Sequence, residues 1–187
     1  MLKGMIAAAV LLLSMSSYAL AVDQELGQIA AISRTCAGCH GTDGASPGAM
    51  IPIIGGQLEG YLALTMEEFA ADQRPGSAML KFAKGYSAEQ RRGISAYFAA
   101  KPWVNSPRAA SSTTRNPDLV RACSGCHGSS GEGRRNIPRL AGQAPDYLVH
   151  ALLEYQRGER PAATMRLMRA YDEESISKMA DHYSSLK

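Results

Sequence analysis

Cysteine and histidine are scarce in this sequence, four of each among 187 residues, and tryptophan occurs once. No run of lysines and arginines is present and aromatics are few, which removes nucleic acid as a partner. No glycine-rich loop follows a strand-like run, so there is no phosphate cradle and no FAD-binding fingerprint. No segment alternates apolar and polar residues in the manner of a strand. The N-terminal apolar run, Met5 to Leu13, falls far short of the ~20 residues that cross a bilayer, so a permanent anchor is not expected. Lysine and arginine total 20 against 17 aspartates and glutamates. Residues 22–105 hold seven basic and eight acidic side chains, and residues 106–187 hold twelve and nine. So small a polarity reads as a solvated surface, with at most a modest steering of an acidic partner toward the second half.

What the sequence does have is concentrated. All four cysteines fall in two copies of Cys-x-x-Cys-His, in RTCAGCHGTDG and in RACSGCHGSSG, with the second 87 positions after the first. Cys36, Cys39 and His40 thus become Cys123, Cys126 and His127. A thioredoxin-like dithiol has no use for the histidine. Two Cys-x-x-Cys pairs would complete one Cys₄ zinc site but leave both histidines unexplained. Covalent c-type haem attachment uses all three residues, and uses them twice. Two thiols on one helical turn add to the haem vinyl groups, and the next residue offers the proximal nitrogen to iron. Two covalent haems are the expectation.

Compartment is checked independently, because haem is attached in this way outside the cytoplasm. Lys3 forms a positive n-region, Met5 to Leu13 an apolar core, and Ala19-Leu20-Ala21 an A-x-A cleavage site. Residues 1–21 read as a cleaved secretory signal peptide, with an uncleaved tether as the bland alternative. The mature chain is expected to start near Val22 in the periplasm. Disulfides are permitted there, but haem claims every thiol.

Internal repetition sets the architecture. Pro52, Gly56, Gln57, Tyr61, Leu62, Arg74, Pro75 and Met79 recur 86 positions on as Pro138, Gly142, Gln143, Tyr147, Leu148, Arg160, Pro161 and Met165. From His40 to Pro52 is twelve positions and from His127 to Pro138 eleven, so one residue is lost in that loop. The chain is expected to hold an N-terminal domain over 22–103, a Pro-, Ser- and Thr-rich linker over 104–116, and a C-terminal domain over 117–187. Domains this small lean on a cofactor for their core. The fold class is all-α. Helical periodicity marks 24–36, with apolar Leu26, Ile29, Ala30 and Ile32 ending in the first motif, and marks Leu58 to Gln73. A capping box at Ser87–Gln90 opens a helix to Ala100. The second unit repeats this with 118–126, 145–157 and a helix opened by Asp172, with Glu173 and Glu174 in its first turn.

An iron that only carries electrons needs a sixth ligand, and a methionine thioether favours Fe(II) and raises the potential. Met79 and Met165 are the methionine pair at equivalent positions in the repeats. Met168, one turn on, rivals Met165, while Met50, Met66 and Met179 read as core. His150 and His182 have no counterparts in the first unit, which argues against bis-histidine ligation. Arg74 and Arg160 each precede the methionine in an Arg-Pro pair. They are expected beside the haem propionates, which need pairing when enclosed. The alternative is a solvated arginine at a helix end.

Each unit resembles a class I cytochrome c domain: Cys-x-x-Cys-His on an N-terminal helix, a proline in the loop beyond, a methionine further on, and a terminal helix. The resemblance implies that the Pro52 and Pro138 carbonyls hold the proximal histidines. In tandem, the units are similar to periplasmic dihaem electron-transfer cytochromes. SAMLKFAKGYSAEQ (77–90) and the AAKPW that ends the first unit look most like the cytochrome subunit of flavocytochrome c sulfide dehydrogenase, although the second unit replaces AKGYS with RAYDE. That implies a one-electron carrier and no enzyme, since irons with both axial positions filled have no place for substrate. A separate FAD-containing flavoprotein would oxidise sulfide, and another soluble cytochrome c would accept the electrons. Two alternatives stand beside this: a free-standing dihaem cytochrome feeding a terminal oxidase, and a dihaem peroxidase-like enzyme with one open haem.

Overall fold

The computed structural model describes residues 24–109 and 117–187. The signal peptide expected over 1–21 lies outside the described residues, as do residues 110–116 of the linker. Among the described residues every regular element is a helix. No strand forms, and the β-bridge between Arg134 and Ile137 is isolated.

The first unit begins with α1 (24–34), which stops one residue short of the haem motif. There the Thr35 hydroxyl donates back to Ile32 O at 2.7 Å, and Cys36 N–H bonds Ser33 O at 3.1 Å, tightening the turn. The expected unbroken helix over 24–36 is therefore split, and the motif sits on a separate short helix, α2 (Ala37–His40). Next come α3 (Glu59–Ala70), α4 (Ser77–Gly85) and α5 (Ala88–Ala99). Ser87 caps α5 with both halves of the capping box formed. In the second unit α6 (Pro117–His127) carries its motif without a break. It is followed by α7 (Pro145–Arg157), a 3₁₀ helix (Ala163–Ala170) and α8 (Glu173–Ser185), whose N-cap is Asp172.

Each unit's last helix closes it. In the first, α1 crosses α5 at Gly93, where an added Cβ would come within 2.7 Å of Ile29. In the second, α8 reaches α6 through the Tyr183 hydroxyl, which donates to Val120 O at 3.4 Å. The cores are small: Leu62, Ile94 and Phe98 in one cluster, Met66, Phe69 and Ala83 in another, and Leu148, Ala180 and Tyr183 in the second unit. Cys36 lies against the first of these and Cys123 against the last.

The repeat is visible in the backbone. Ile54 and Gly55 N–H both bond Gly44 O, as Leu140 and Ala141 N–H both bond Gly131 O. Since Gly44 and Gly131 are still 87 apart while Pro52 and Pro138 are 86 apart, the lost residue falls between glycine and proline. The Arg134–Ile137 bridge tightens that shortened loop.

Candidate haem sites and the interface between them

Both motifs present the same chemistry. Cys36, Cys39 and His40 share one turn, with His40 N–H bonded to Cys36 O at 2.9 Å. The two histidines are buried. Their Nδ1 atoms lie 2.9 Å from the Pro52 and Pro138 carbonyl oxygens. A carbonyl only accepts, so Nδ1 carries the proton and Nε2 keeps its lone pair for a metal. Burial pushes both imidazoles below their ordinary pKa, against the raising effect of the proline carbonyls, which keeps them in the neutral, ligating form. Burial also pushes the Cys36 and Cys123 thiols up.

A continuous cavity of about 540 Å³ is lined by both motifs and by residues of both units. Met79, Met165 and Met168 all line it. They differ in environment: Met168 is 1% exposed and belongs to the core, whereas Met79 and Met165 are half-buried. Met66 and Met179 are buried as expected, but Met50 is 48% exposed and is not a core residue. It sits on the loop after the first motif and also lines the cavity. His150 pairs with Glu154 at 3.4 Å, and His182 packs edge-on against Tyr183.

Arg74 and Arg160 are not solvated helix-end residues: they are 3% and 8% exposed. Arg74 donates to the hydroxyls of Thr65 (3.0 Å), Tyr61 (3.3 Å) and, from the other unit, Tyr147 (3.3 Å). It lies 3.5 Å from Glu68, while Arg160 pairs with Glu154. Glu68 and Glu154 are 86 apart, so the ion pair is itself part of the repeat. Burial alone would push the Tyr61 hydroxyl up, but the Arg74 and Arg160 guanidiniums outweigh it and bring it down to about 8. Burial pushes Glu68 up. Arg74 Nε is enclosed and has no hydrogen-bond partner among the described residues. An apolar cavity, two neutral histidines with free Nε2, four thiols and a buried cation with a spare donor fit a pair of haems with carboxylate side arms.

The repeated Gly-Gln pair joins the units. Gln57 Nε2 donates to Arg139 O at 2.9 Å and its Oε1 accepts from Arg139 N at 2.8 Å. Gln143 does the same to Ile53, at 2.9 Å each way. Gly56 and Gly142 have φ of +70° and +72°, and added Cβ atoms would meet Trp103 N at 2.5 Å and the Asn105 side chain at 2.2 Å. Residues 103–106 thread between them, tied by Ser106 N–H to Gly142 O at 2.7 Å. The start of the expected linker is thus an interface element. The sequence carried a signal for these residues in their recurrence at 86 positions, but the partner lies in the other unit and recurrence does not name it.

No family model matches the chain. It is similar to cytochrome c4 of Azotobacter vinelandii, 31% identical over 145 residues that cover 67% of this chain and 69% of that protein. The thiosulfate dehydrogenase electron acceptor of Thiomonas intermedia is 30% identical over 148 residues, covering 72% and 68%. The cytochrome subunit of sulfide dehydrogenase from Chlorobaculum tepidum is 37% identical, but over 89 residues and 47% of this chain, with 77% of its own length covered. The likeness to that subunit therefore spans less of the chain than the likeness to cytochrome c4 does. The crystal structure of cytochrome c4 from Pseudomonas stutzeri has the same fold, with a TM-score of 0.70 at 24% identity over 88% of this chain and 98% of that one.

Proposed function

Because the chain belongs to the cytochrome c4 family and is a dihaem c-type cytochrome, an electron carrier, we propose that it is a free-standing periplasmic carrier. It would pass single electrons from a redox partner to a soluble acceptor such as another cytochrome c. The observation that carries this reading is the doubled motif in which each histidine gives Nδ1–H to a proline carbonyl and leaves Nε2 for iron. Bound haem supplies an iron that cycles between Fe(II) and Fe(III). The protein's residues do the rest.

Cys36, Cys39, Cys123 and Cys126 hold the two groups, and His40 and His127 are the proximal ligands. Met79 and Met165 are the sixth ligands in this reading. Both line the cavity and stay half-buried, Met79 at the edge of the Met66, Phe69 and Ala83 cluster, while Met168 is 1% exposed. Arg74 and Arg160 hold the propionates. Their burial and the spare Arg74 Nε support this, because an enclosed cation without enough anionic partners is costly. Residues 1–21 are the export signal.

The test is ligand access. The purified protein should carry two haems that acid–acetone does not extract, and its reduced form should show an unchanged spectrum under carbon monoxide. Binding of carbon monoxide at one haem would favour the peroxidase-like alternative, and a single haem or bound zinc would end the reading. A second reading, electron acceptor for a sulfur-compound dehydrogenase, is favoured by the likeness to the Thiomonas and Chlorobaculum proteins. Co-purification of a flavin-containing polypeptide would support the sulfide dehydrogenase form of it.

A further inference from the structure

We infer that Gln57 and Gln143 are positioning residues that act across the interface, each tuning the proximal histidine of the opposite unit. The inference rests on the dihaem reading above. The Pro52 carbonyl and the Ile53 N–H are the two ends of one planar peptide group. His40 Nδ1–H donates to the carbonyl end at 2.9 Å. At the other end, Gln143 Oε1 accepts the Ile53 N–H at 2.9 Å. Gln143 Nε2 also donates to Ile53 O at 2.9 Å, so its amide has one orientation: a flip would set NH₂ against N–H. The second unit repeats the chain of bonds, from Gln57 through the Pro138–Arg139 peptide to His127.

Groups linked by successive hydrogen bonds polarise one another, most strongly where the dielectric is low. An acceptor on the Ile53 N–H draws charge toward the Pro52 oxygen, and that oxygen then pulls harder on the His40 Nδ1 proton. His40 Nε2 becomes a stronger donor to iron, which favours Fe(III) and lowers the potential. Within its own unit, Gln143 Oε1 bonds only the Ala144 N–H at the start of α7, whereas His127 is bonded to a different peptide group, that of Pro138 and Arg139. Its tuning effect therefore falls on the other unit. Gln143 and Ile53 are each 2% exposed, whereas Arg139 is half-buried. The Gln143-to-first-haem link should be the stronger of the two.

The test is a redox titration of the holoprotein followed by NMR, with haem methyl resonances assigned to each unit. Gln143→Leu should raise the potential of the first haem and leave the second nearly unchanged. Gln57→Leu should raise the second, by less. In the reduced protein, the Nδ1–H resonance of the histidine across the interface should shift, and that of the variant's own unit should stay. Where a leucine variant loses haem or unit docking, the asparagine variant, which withdraws the amide by one methylene, is read in the same way. Shifts confined to the variant's own unit, equal shifts in both, or none would overturn the inference. A protein without two haems would fail earlier, at the dihaem reading itself.

Discussion

At the scale of residues, the methionines proposed as sixth ligands and the histidines ask for different tests. The histidines are defined by geometry, with Nδ1 engaged and Nε2 unengaged. The methionines are defined by position in the repeat and by lining the cavity without belonging fully to a core. Met79→His should lower the potential of the first haem, because a harder, more basic nitrogen replaces a thioether. The near-infrared methionine-to-iron charge-transfer band should fall by about half, since one of two such ligands is lost. Met165→His should remove the other half, while Met168→His should leave the band and instead destabilise the fold by placing a polar ring in a site that is 1% exposed. An unchanged band in the Met79 variant would make Met79 a core residue.

At the scale of elements, helices whose apolar period was clear in the sequence formed with nearly the expected bounds. The segment expected over 145–157 forms as α7 over Pro145–Arg157, and both capped starts, Ser87 and Asp172, are in place. Two elements went unread for physical reasons. Helix α4 is only nine residues long and follows the helix breakers Pro75 and Gly76, so its period falls short of the window that makes a helix legible. The segment 163–170 spans only eight residues, too short a window for a helical period to stand out along the chain. The Asp172 cap has a pH signature. Its hydrogen bonds with Ser175 hold the carboxylate below its usual range, so the folded pKa lies under the unfolded one. The cap's stabilisation is complete above the unfolded value and is lost as pH falls through the folded value. In melts of the holoprotein between about pH 6 and 2, where carboxylates titrate, Asp172→Asn should keep the cap but flatten this part of the acid slope. An identical slope would show that the cap carries no charge effect.

At the scale of the whole molecule, the two units meet around an approximate two-fold relation. Its members are the repeated residues: Gln57 with Gln143, Tyr61 with Tyr147, Arg74 with Arg160, and Gly56 with Gly142 about residues 103–106. Arg74 is the crossing point, bonded to tyrosines of both units. Removing its charge from an enclosed site near iron should favour Fe(III). Arg74→Gln is therefore expected to lower at least one haem potential, more at low ionic strength, where screening over about 10 Å is weaker. The same variant should return the Tyr61 hydroxyl toward its ordinary range, because the largest lowering influence on it is gone. Potentials within error of the parent at low salt would place no propionate beside Arg74.

The sequence by itself determined the chemistry of each unit. Cys-x-x-Cys-His demands only five consecutive residues, helical periods are local, and a repeat of 86 positions announces two similar units. It also selected the residues that matter at the interface, without saying what they touch. Only the tertiary structure decided that Gln143 reaches Ile53, 90 positions away, and that Gln57 reaches Arg139, 82 positions away. The reason is physical. Recurrence records that two positions face equivalent surroundings, but whether those surroundings are a unit's own core or its neighbour's backbone depends on docking. Docking is set by shape, buried hydrogen bonds and the glycine contacts at Trp103 and Asn105, none of which is periodic along the chain.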